Sequence, residues 1–185
     1  MTQTTRVDVY EQIAAQVALG KGPREVARRL DALTVLDIDG NEALSIFISE
    51  LELSGMKKPE VERRAASHFK KLLRELKLTV AWTEMRRATS QVQAEQALAT
   101  GAKMKVWITA GDECVRDVCQ ANEAQGPIPI AQAFVGGVQH APQLPRCRCT
   151  VSYYSNTALN DVYKRRADER AAITAAAKAN LTNGS

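Results

Sequence analysis

Four cysteines offer the clearest chemistry in this sequence: Cys114, Cys119, Cys147 and Cys149, all within residues 105–152. They are all the cysteines the chain has. The first two follow a short apolar run, Lys105-Val106-Trp107-Ile108-Thr109. The last two close the segment as Arg146-Cys147-Arg148-Cys149-Thr150, at the start of a second β-type run. Zinc takes four ligands in a tetrahedron, with thiolate sulfur at about 2.3 Å. In extended chain, side chains at i and i+2 point to one face, so Cys147 and Cys149 present both sulfurs together and Arg148 faces away. Cys114 and Cys119 would lie about 140° apart on a regular helix. They share an ion only if the chain bends between them or a helix begins after Cys114. His140, in Gln139-His140-Ala141-Pro142, supplies an alternative set: Cys119, Cys147, Cys149 and His140, with Cys114 spare. Without metal, the thiols could pair as disulfides or stay buried and free. Four protein ligands leave no open position for water, so a zinc site here is expected to be structural.

Other chemistry has less behind it. A Cys/His pair could make a thiol nucleophile, Asp112 and Glu113 could exchange protons, and a knuckle with His140 could suggest a nuclease. The chain has only two histidines, no Gly-rich phosphate loop and no serine in an elbow context. The expectation is a protein that is not an enzyme. Asp37-Ile38-Asp39-Gly40-Asn41 resembles a calcium loop but lacks the third acidic ligand and the closing bidentate Glu, so it reads as a turn and N-cap. His68 has no partner at metal-ligand spacing and reads as a boundary histidine.

The elements that would carry these residues are mostly helical. At 185 residues, with 45% apolar and 5% aromatic content, the chain suits helices on a modest aliphatic core. Val7, Tyr10, Ile13, Ala14 and Val17 recur at helical spacing up to Gly20 and Gly22. Pro23 opens a second helix with Val26, Ala27, Leu30 and Leu33 on one stripe. Residues 42–53 predict a third, with Leu44, Phe47, Ile48 and Leu51 inward and Ser54-Gly55 ending it. Pro59 opens the clearest helix, in which Val61, Ala65, Phe69, Leu72, Leu73 and Leu76 repeat at three and four. Residues 79–100 continue it, straight or kinked, with a weak stripe of Met85, Ala88, Val92 and Ala99 that suggests close packing through alanines. Glu84 and Arg87 read as an i,i+3 pair. Strands are predicted at 106–108, at an edge over 128–130, and at 149–154, followed by an Ala-rich helix or frayed tail over 159–181. The fold class is α+β: a helical N-terminal part (1–78), a small β-rich cysteine-knuckle module (79–154) and a C-terminal helix (155–185).

No apolar run nears the roughly 20 residues a membrane span needs, so no membrane anchor is expected. Residues 1–6 have no apolar h-region, which predicts no secretory signal and first folding in a reducing cytosol. Net charge is +4 but uneven. Residues 31–53 hold acids and no Lys or Arg, whereas residues 57–77 are strongly basic. Two solvated helix faces explain this. The sharper reading gives the acids a protein partner and gives Arg63, Arg64, Lys70, Lys71, Arg74 and Lys77 salt-sensitive contact with DNA.

The run Lys105 to Asp112, then Arg116 and Cys119, then Gly126, Ile128-Pro129-Ile130 and Phe134, closing in Pro145-Arg146-Cys147-Arg148-Cys149-Thr150, resembles the phage head morphogenesis domain, the Mu F-like minor capsid proteins of tailed bacteriophages. The likeness covers residues 79–153. Cys119 stands where part of that family has a His, and Leu144-Pro145 replaces its His-Pro, which leaves the ligand set open. The resemblance implies a low-copy virion component, made in the host cytoplasm and placed at the portal vertex or in the head interior. It would serve head assembly, DNA packaging or genome ejection. Its partners would be the portal protein, other head proteins and packaged DNA bound without sequence preference. A zinc-knuckle DNA-binding regulator and a Cys/His-dependent hydrolase or nuclease are the alternatives.

Overall fold

The computed structural model describes residues 3–31 and 33–182. Among the described residues, six α-helices, one short 3-10 turn and one small antiparallel sheet make the fold α+β, as the sequence predicts. The chain divides into two compact units at Met85 and Arg86.

The first unit holds α1 (Gln3–Ala18), α2 (Pro23–Arg28), α3 (Ile38–Leu53) and the leading part of α4 (Lys58–Ala99). Its core joins Val9, Ile13, Val26, Ala27, Leu30, Leu33 and Ala81, with Leu73, Leu76 and Val80 packed against them. All four residues of the predicted α2 stripe are buried. The helix itself ends at Arg28, so i to i+3 bonds from Leu30 to Ala27 and from Leu33 to Leu30 deliver the last two. The α1 stripe needs correction. Val9 and Ile13, four apart, are the buried pair, while Ala14 and Val17 face solvent. The side chains of Val7 and Tyr10 lie outside the described residues. The Asp37 carboxylate accepts from the Gly40 amide at 2.9 Å and caps α3, so Asp39, Gly40 and Asn41 form a helical first turn. His68 stacks on Phe47 with ring centroids 4.1 Å apart.

Helix α4 runs without a break through residue 79. Its early stripe is half-buried or buried as predicted, but beyond Arg86 the predicted stripe is not buried. Ala88, Val92 and Ala99 are exposed, because so few apolar atoms on that stretch reward burial. At its end the Gly101 amide bonds Leu98 and the Ala102 amide bonds Ala97, with Gly101 at φ +81. This is the Schellman pattern, which a residue with a Cβ enters only under strain.

In the second unit, β1 (Met104–Ile108) is the central strand, between β2 (Ile128–Pro129) and β3 (Thr150–Tyr154), antiparallel to both. Lys105 pairs with Tyr153 and Trp107 with Val151. Because β1 is covered on both faces, Lys105, Val106 and Trp107 are all buried. Lys105 and Trp107 share the face that meets Phe134. Helix α5 (Asp117–Ala124) and helix α6 (Asn160–Thr182) complete the unit. The leading half of α6 is docked rather than frayed. Ala167 is buried, Tyr163 stacks on Tyr154, and Arg170 bonds both the Thr109 carbonyl and the Glu123 carboxylate.

Candidate metal centre

Three of the four sulfurs converge. Cys119, Cys147 and Cys149 place their sulfurs within 4.8 Å of one another, close enough to hold a metal ion. Helix α5 begins after Cys114, which is one of the two conditions the spacing sets, and it turns Cys119 inward beside Asn122. The other two arrive on extended chain just ahead of β3, with Arg148 turned away to meet Asp112 at 2.6 Å. A turn sets their approach. The Cys147 amide bonds the Leu144 carbonyl at 3.1 Å, with Pro145 and then Arg146 at φ +58 between them. Such a turn takes proline second and a left-handed residue third.

Cys119 and Cys147 sulfurs are 3.8 Å apart. Two thiolates at about 2.3 Å from one ion in a tetrahedron are separated by about the same distance, roughly 3.8 Å. All four cysteines are free thiols. Cys114, however, stands outside the trio and is exposed. It lines the same cavity of about 360 Å³ that Cys119, Cys147 and Cys149 open onto. Its loop is held by Asp112, whose carboxylate accepts from the Cys114 amide at 3.1 Å. His140 is not brought to the trio, and its ring lies against the Ala141 carbonyl at 3.3 Å.

The site favours one thiolate first. Donation from the Cys149 thiol, then from the Cys149 and Gln143 amides, holds Cys147 down to about 5. Cys149 is pushed up chiefly by that donation, and then by burial. Burial pushes Cys119 up to about 11, with the neighbouring Cys147 adding to it. The indole N–H of Trp107 is buried and meets no acceptor at good hydrogen-bond geometry. It lies close enough to Cys149 to favour its thiolate. An ionised Cys149 would therefore satisfy an otherwise orphaned donor, so the surroundings suit thiolate ligands. Arg86 adds a bond to the Cys149 carbonyl at 2.9 Å.

Two supports went unread in the sequence. Asn122 is fully buried, and it gives its amide to Gln143 at 2.6 Å and accepts from the Gly136 amide at 3.1 Å. Gln143 closes the ring by donating to the Gly136 carbonyl at 3.0 Å. Lys105 sends its ammonium to both oxygens of Gln139. The signal available in the sequence was the place of Lys105, two residues from Trp107 on one face of a strand. Of the basic residues assigned to DNA, Arg63 and Arg64 are both tied to Glu60, whereas Lys70, Lys71 and Arg74 are exposed and Lys77 half-buried.

Against known proteins, no family model matches this chain, and no curated protein or solved structure does either.

Proposed function

We propose that this protein is a non-enzymatic minor capsid component of a tailed phage. It would act in head morphogenesis at the portal vertex or head interior, with a module over residues 86–182 clasped by a structural zinc ion. Two things support the reading. The run from Lys105 to Thr150 that carries the resemblance falls in one unit, where it supplies the central strand, an edge strand, the short helix and all three converging thiols. The observation that carries the zinc clasp is the 3.8 Å approach of Cys119 to Cys147, beside a third thiol and an unsatisfied indole donor.

Cys119, Cys147 and Cys149 would hold the ion, and Cys114 is assigned as the fourth ligand because it lines the same cavity. An all-sulfur set favours zinc over the hard, oxygen-seeking cations. When bound, the metal supplies a cross-link between the two ends of the knuckle. The chain's own groups do the rest: Asn122 and Gln143 fix the loop that delivers the second pair, and Arg148 with Asp112 holds the loop that carries Cys114.

The test is mass spectrometry of purified particles together with metal analysis of the isolated chain. The expected result is the protein in virions and about one zinc per chain, as a single four-ligand site requires. Cys147→Ser should lose the metal and His140→Ala should keep it. Absence from particles would move the assignment to a scaffold or a regulator, and metal-free protein with intact thiols would remove the zinc.

A further inference from the structure

The first unit carries a groove between α2 and α4, with a volume of about 570 Å³. Its floor is apolar, made by Ala27, Leu73 and Leu78. Its rim is cationic: Arg24 and Arg28 from α2, Lys70, Arg74 and Lys77 from α4, with Glu75 the one acid. The single acid of α2, Glu25, is engaged by Lys21 and Arg29. None of the five rim cations has a carboxylate partner among the described residues. A duplex backbone is recognised by cations and hydrogen-bond donors, and would leave the apolar floor unused. An acidic helix with exposed apolar side chains would use both the rim and the floor.

The chain itself presents such a helix. α3 has no Lys or Arg, and Ile38, Ile46 and Leu53 on it are 84%, 54% and 88% exposed. At 100° per residue these three fall with Asp39, Glu42 and Glu50 inside one arc of about 120°. Those three acids are exposed and form no ion pair among the described residues. Glu42 and Glu50 stand about 12 Å apart along α3, close to the roughly 10.5 Å between the rim residues Lys70 and Lys77 along α4. The opposite face of α3 is already used, with Leu51 buried and Phe47 stacked on His68.

We propose that the α2/α4 groove receives the acidic apolar face of α3 from a second copy of this chain. The contact joins two different patches, so it propagates head to tail into a ring or closes when each copy fills the other's groove. Ile46 would sit on the floor, and the α3 acids would meet the rim.

Sedimentation velocity over a concentration series is the test, on the full chain. The expected result is concentration-dependent self-association that weakens as salt rises from about 0.1 M to 1 M, where the screening length falls from about 10 Å to 3 Å. Lys70→Glu with Arg74→Glu should weaken it at least about tenfold, and Glu42→Lys with Glu50→Lys likewise. Mixing those two double variants should restore association between them, which misfolded chains would not do. Association indifferent to both reversals, a chain that stays monomeric at every concentration, or a groove that binds duplex DNA in place of a second copy would each overturn the proposal.

Discussion

Lys105 is 1% exposed, and among the described residues its ammonium meets the oxygens of Gln139 and the ring of Phe134, 5.0 Å from its centroid. Burial without a carboxylate lowers its pKa from 10.5 to about 8. Between those values the unfolded chain holds the proton and the folded chain has released it, so stability rises with pH across that window and is flat below it. Relative to Lys105→Met, the wild type should gain up to about 3 kcal/mol from pH 8 to 10.5. Denaturant melts of both proteins check this, and the comparison cancels the thiols' own titration. Parallel profiles would show that another group is responsible. At this scale the sequence was a good guide to three of the four thiols and to Trp107, whose types announce their chemistry. It was a poor guide to Lys105, because the oxygens that receive it lie 34 positions away. The one local sign was its place two residues from Trp107 on the same strand face.

Among the elements, the helices read well where the apolar stripe was wide and badly where it was thin. The α2 stripe is buried as predicted because four aliphatic residues have one place to go. The far end of α4 is held by backbone propensity and its Gly101 terminator, neither of which predicts packing. Gly101→Ala should cost about 1 kcal/mol, with no change in metal content. Helix α5 escaped notice as an element: it is eight residues long, with one buried side chain a cysteine and the other an asparagine. Asn122 repays the attention. Asn122→Ala leaves the Gly136 amide and the Gln143 side chain short of partners and should cost about 1–3 kcal/mol. It should also weaken zinc retention, because Gln143 stands four residues before Cys147 and its amide faces that sulfur. Equilibrium dialysis of the variant against a chelator checks the second effect. Gly136→Ala should behave alike, since a new methyl would meet the locked Gln143 amide.

For the whole molecule, two units with separate cores imply two responses to metal removal. The first rests on aliphatic packing among Val9, Ile13, Val26, Leu30 and Leu33. The second gathers Trp107, Phe134 and Ile128 around two of the thiols. A chelator should release hydrogen-exchange protection across 104–154 and leave 9–33 protected. Restoring free zinc to 100 times its dissociation constant should return about 2.7 kcal/mol to the second unit. Equal loss in both would contradict a zinc confined to the cysteine module. The α+β class was legible because strand-type and helix-type periods occupy different stretches of the chain. The division at Met85 was not, because no Pro or Gly marks it and the helix runs straight through.

The thiols stand at opposite ends of their knuckle, and β3 follows the last of them directly. That arrangement has a consequence for synthesis. A nascent chain that has emerged only as far as residue 146 holds one sulfur of the trio and lacks the longer partner of β1. The clasp and the sheet must then mature together, after the ribosome has passed Tyr154. Chains stalled earlier should stay protease-sensitive throughout the module, whatever the zinc supply.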